Sequence, residues 1–68
     1  MKNKLCSKNK ELVTVGTILK QSNGVTYEIT SIVRNGNKTN ITTLCSLSGT
    51  HIYFQPLSSF YGLEIINN

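Results

Sequence analysis

The sequence predicts an all-β domain of five short strands, and three observations carry that prediction. Five glycines, Gly16, Gly24, Gly36, Gly49 and Gly62, punctuate the 68-residue chain at spacings suited to turns between strands. Val25, Tyr27 and Ile29 alternate with Thr26, Glu28 and Thr30, so the segment has one apolar face and one polar face. Asn-Gly pairs at 23–24 and 35–36 separate β-branched runs, and both residues tolerate the positive φ of a tight hairpin turn.

The elements follow in order. "MKNKLCSKNK" has no periodicity and only Leu5 and Cys6 as interior apolar residues, so residues 1–10 read as a mobile basic arm and 11–68 as the folded domain. "LVTVGTILK" is a β-branched strand with a glycine bend inside it. "VTYEITSIV" is the second strand. Ile32 falls on the wrong parity there, and a β-bulge near Thr30 and Ser31 would return it to the core. "TNITTLCSL" is the third strand, "SGT" a turn, and "HIYF" a short fourth strand stopped by Pro56, which has no N–H for the ladder. "PLSSF" suits one helical or 3₁₀ turn, and "YGLEII" closes the domain. The expected core is Val15, Ile18, Val25, Tyr27, Ile29, Ile32, Ile41, Cys45, Ile52, Phe54, Leu57, Phe60, Leu63 and Ile65.

The stretches "VGTILK", "NGVTYEITSI", "GTHIYF" and "PLSSFYGLEI", spread over residues 12–66, give the chain an order of elements that resembles the SH3-like small barrel. The resemblance is one of architecture. It implies a five-stranded barrel with one short 3₁₀ or helical turn before the last strand. It leaves function open, because that fold hosts peptide binders, nucleic-acid binders and inhibitors alike. In peptide-binding members, aromatics near the helical turn line a groove for proline-rich ligands. This chain has no Trp and no acidic loop, which argues against that ligand.

A chain this short buries a thin core, so association with a second copy is a reasonable expectation. No segment approaches the roughly 18 apolar residues of a membrane span, and no apolar stretch follows the basic N-terminus as in a secretory signal. The expected location is therefore the cytoplasm, with Cys6 and Cys45 reduced. The net charge of +4 is uneven. Lys2, Lys4, Lys8 and Lys10 supply it, whereas from residue 11 onward Lys20, Arg34 and Lys38 balance Glu11, Glu28 and Glu64. Abundant Asn, Lys and Ile also fit AT-rich codons, as in low-GC bacteria, their phages and mobile elements.

The chemistry-bearing residues are few. His51 is the single histidine, and Cys45 across the turn is its nearest candidate nucleophile. There is no Asp, and the three Glu lie on separate segments, so neither a carboxylate pair nor a metal site is expected. No cofactor and no enzymatic activity are expected. Asn37-Lys-Thr and Asn40-Ile-Thr match the glycosylation pattern, which carries no weight without secretion. Tyr53 shares a strand face with His51, and Tyr61 follows the predicted turn. These aromatics, with Arg34, Lys38 and Lys20, form the expected partner-binding set. Two functions stay open. The first is a non-enzymatic binding protein, phage or mobile-element encoded, that engages and inhibits or modulates a host protein. A variant of it is an oligomer that sequesters a small nucleotide through Lys20, Arg34 and Lys38. The second is a nucleic-acid module in which Lys2, Lys4, Lys8 and Lys10 hold phosphates and exposed tyrosines stack on bases.

Overall fold

A computed structural model describes residues 3–67. Among the described residues, six strands are present: β1 (Asn3–Lys4), β2 (Ile18–Lys20), β3 (Thr26–Asn35), β4 (Lys38–Cys45), β5 (His51–Pro56) and β6 (Glu64–Asn67). They form one sheet in the order β1-β6-β2-β3-β4-β5, with every neighbouring pair antiparallel. Two 3₁₀ turns, Lys10–Leu12 and Leu57–Phe60, interrupt the connections. The all-β class and the turn before the last strand agree with expectation. The closed five-stranded barrel does not: the sheet is open, with β1 and β5 as its two edges. Closure would need β5 to reach β6, but β6 is already paired on both sides, by β2 and by the unexpected β1.

The turn chemistry sets the register. Gly36 and Asn37 form a two-residue loop between the paired residues Asn35 and Lys38, with Gly36 at φ +58°. At the Asn-Gly turn before β3, the Gln21 N–H donates to the Val25 carbonyl at 2.8 Å. The β2–β3 register then places Leu19 opposite Tyr27 and Lys20 opposite Thr26. Paired residues share a face, so Leu19 joins Tyr27 on the inner side. One cross-strand row runs Ile65, Leu19, Tyr27, Cys45, and the next runs Ile29, Thr43, Ile52.

This register corrects the expected core in the first strand. Leu19 is fully buried, Ile18 is half-buried, and Val15 is 63% exposed. Strand geometry starts only at Ile18, because residues before it turn at Gly16, whose N–H donates to the Ile29 carbonyl at 2.8 Å. Val13 and Thr17 take inner positions from that turn. Leu57, Phe60, Ile65, Ile29, Ile41 and Cys45 are buried as expected, and Tyr27, Ile32 and Leu63 pack against the core from partly buried positions. Val25 and Ile52 are half-buried. The Tyr27 and Phe60 rings meet edge to face, with centroids 5.6 Å apart and planes at 69°, while the Tyr27 hydroxyl donates to Gln21 Oε1 at 3.1 Å.

The N-terminal segment also differs from a free arm, apart from Met1 and Lys2, which lie outside the described residues. Asn3 and Lys4 pair with Ile65 and Glu64, and Leu5 is fully buried in the core. The Leu5 N–H donates to Leu63 at 2.7 Å, and its carbonyl accepts from Gly62 at 2.8 Å. A buried leucine held by two backbone hydrogen bonds makes this segment part of the fold.

Two bulges meet at one point on β4. On β3 the register shifts between Ile29 and Ser31, as the parity of Ile32 predicts, leaving Thr30 as the extra residue. On β5 it shifts so that Tyr53 and Phe54 together face Thr42 alone, between the pairs Ile41–Gln55 and Thr43–Ile52. The Thr30 hydroxyl donates to the Thr42 carbonyl at 3.2 Å. Thr42 and Thr43 are buried along this line, and the Thr43 hydroxyl has no hydrogen-bond partner. Opposed bulges on the two neighbours of one strand bend the sheet along that line.

Candidate functional site

The β5 bulge decides what the aromatic stretch presents. Phe54 is a predicted core residue, yet it is 60% exposed, because the extra residue breaks the alternation that would have carried it inward. Its backbone sits at φ +46°, the sole non-glycine in the left-handed region among the described residues. That conformation is uncommon for a bulky residue and costs about 1–3 kcal/mol. Tyr53 is 67% exposed and stacks on His51, with ring centroids 5.9 Å apart and planes at 26°. Ile52 alone of the strand turns partly inward. His51, Tyr53 and Phe54 therefore form an exposed aromatic ridge on an edge strand. Leu47, 80% exposed, lies in the turn that leads into it.

The register pairs His51 with Leu44, not with Cys45. Cys45 instead sits in the inner row, where the Ser48 backbone N–H holds its thiol pKa below the ordinary thiol value against the opposing push of burial, with a smaller contribution from Leu47. Among the described residues, no three of His, Cys, Asp and Glu come together in a way that could hold a metal ion.

The other expected site residues separate into three places. Tyr61 and Lys38 line a cavity of about 320 Å³ together with Lys10, at the junction of the β3–β4 hairpin tip and the Leu57–Phe60 turn. Arg34 lines an adjoining cavity with Lys10 and Glu11. Lys20 lies elsewhere, in a groove shared with Lys4, Gln21 and Glu64. Lys8 is exposed and lines none of these cavities, and Lys2 lies outside the described residues. Tyr61 thus belongs with Lys38 and Lys10 and not with the His51–Tyr53 stack. Alternation along "HIYF" was enough to place His51 and Tyr53 outside. Phe54 had no such signal, since the bulge that exposes it depends on pairing with β4.

Compared with known proteins, the chain matches no protein-family model, no curated protein and no solved structure.

Proposed function

We propose that this chain is a non-enzymatic binding protein that engages a partner protein through the aromatic ridge of β5. One observation carries the reading: Tyr53 and Phe54 are both mostly exposed on an edge strand, with Phe54 in a costly backbone conformation. Backbone strain at an exposed aromatic is a cost that a contact can offset. Exposed rings with little conformational entropy are good anchors in protein interfaces. The strand His51–Pro56 carries no Lys or Arg, so the ridge is suited to an apolar protein surface and not to a polyanion. The bulge and Pro56 break the ladder on this edge, which favours contact through side chains over addition of a partner strand. The run β6-β2-β3-β4-β5 supports an SH3-like arrangement of an open kind, with β1 added outside it. A host protein as partner, and a phage or mobile element as source, complete the proposal on compositional grounds. A nucleic-acid module is the weaker reading, because Lys4 and Lys10 line different grooves.

The test is capture from lysate by immobilised protein, comparing wild type with a Tyr53→Ala/Phe54→Ala double variant whose circular dichroism is unchanged. The expected result is a discrete protein retained by wild type and lost from the variant. Recovery of nucleic acid alone, or equal capture by both, would overturn the reading.

A further inference from the structure

The cavity beneath the β3–β4 hairpin tip has a composition that the aromatic ridge does not share. Lys10 comes from the first 3₁₀ turn, Asn37, Lys38, Thr39 and Asn40 from the hairpin, and Tyr61 from the end of the second 3₁₀ turn. No acid lines it. The adjoining cavity shares Lys10, Asn37 and Thr39 and adds Arg34. Three cations therefore converge on one end of the sheet from two distant parts of the chain, and the acid placed with them is Glu11. Gathering like charges around a concave surface is unfavourable by itself, and an anion seated between them relieves it.

The side chains at this end are also uncommitted. Lys10, Asn37, Lys38, Thr39, Asn40 and Tyr61 make no side-chain hydrogen bond or ion pair with another described residue. Elsewhere on the surface, comparable groups are used: Asn9 caps Cys6 and Lys4, Asn23 accepts from Val25, and Ser48 meets Thr50. The cavity thus offers two ammonium groups, two amides, the hydroxyls of Thr39 and Ser58, and one phenol ring. Its volume lies at the lower end of the range for small-molecule sites.

We propose that this cavity binds a nucleoside phosphate, with the phosphate between Lys10 and Lys38, Arg34 available to a second phosphoryl group, and Tyr61 beside the base. Phosphate oxygens accept charge-assisted hydrogen bonds from lysine and arginine, the strongest class the cavity can offer. A tyrosine ring gives a base a flat apolar face, and the Asn37 and Asn40 amides can both donate and accept at its edge. The small volume and the single aromatic fit one nucleotide, not a strand. The site is distinct from the His51–Tyr53–Phe54 ridge, so either reading can fail without the other.

Titration calorimetry with ADP tests it, with adenosine, inorganic phosphate and a 20-nucleotide oligo-dT as comparisons. One ADP per chain is expected, bound more tightly than either adenosine or phosphate. Lys38→Glu and Lys20→Glu change the net charge equally, but only Lys38 lines this cavity. Lys38→Glu should weaken ADP about tenfold or more, whereas Lys20→Glu should leave it within about twofold. Tyr61→Ala should weaken ADP while sparing phosphate. The proposal is overturned by any of three results: no ADP binding at millimolar concentration, equal losses in the two lysine variants, or binding of the oligonucleotide without binding of ADP.

Discussion

At Phe54 two costs coincide, a φ of +46° and an aromatic ring that is 60% exposed. Neither is recovered by packing in the free protein. Glycine carries no Cβ penalty in the left-handed region, so the backbone cost can be separated from the loss of the ring. Phe54→Gly and Phe54→Ala both delete the ring, and only alanine retains the strain. The glycine variant should be the more stable by about 1 kcal/mol, which at this size corresponds to a melting temperature about 5 °C higher. Thermal denaturation of the two variants, side by side, measures it. Equal melting temperatures would mean that the bulge relaxes around alanine and that Phe54 stores no strain for a partner to use.

Among the elements, β1 and Leu5 directly after it depart most from the sequence expectation. Leu5 is a lone leucine among lysines and asparagines, and nothing local marks it for burial. Its place comes from long-range pairing, with its backbone bonded to Gly62 and Leu63 and its side chain in the core. Replacing a fully buried leucine with alanine costs about 2–5 kcal/mol. Leu5→Ala should therefore lower the melting temperature by roughly 10 °C or more. An unchanged melting curve would show that the segment is not docked. Deleting residues 1–10 would remove this core residue, so substitution of single lysines is the sound way to examine their charge. By contrast, a tight turn within "NGN" and the bulge at Thr30 are legible from local chemistry and parity, although the loop is Gly36–Asn37 and Asn35 stays in the strand instead of taking a positive φ. The face of β2 is not. Its three residues are too few to establish a period, and pairing with Tyr27 and Ile65 decides that Leu19 points inward. The same divide holds for the candidate sites. Alternation exposes His51 and Tyr53, but the convergence of Lys10, Lys38 and Tyr61 exists only once the hairpin and the two 3₁₀ turns are assembled.

For the molecule as a whole, the placement of charge matters more than its sum. The radius of gyration of 10.9 Å matches a compact chain of this length, and the body is a slab of 32 × 29 × 17 Å. On it, Lys4 and Lys20 share one groove with Glu64, while Lys10, Lys38 and Arg34 gather at the hairpin end with Glu11. The net charge of +4 suggests a polyanion partner, but its cations are divided between separate grooves, and a strand held at one place meets at most three of them. A single strand neutralised at about three phosphates gives a slope of log K against log salt near −2, since each contact contributes about −0.7. Fluorescence anisotropy with labelled oligo-dT, over a range of salt concentrations, should therefore give a slope no steeper than about −2. Binding should be lost near physiological ionic strength, where exposed charges are screened beyond about 8 Å. A slope of about −4 or steeper would require both groups of cations to act on one strand. That outcome would move the balance from the protein-binding ridge toward nucleic acid, because the lysines would then form a continuous track across the slab.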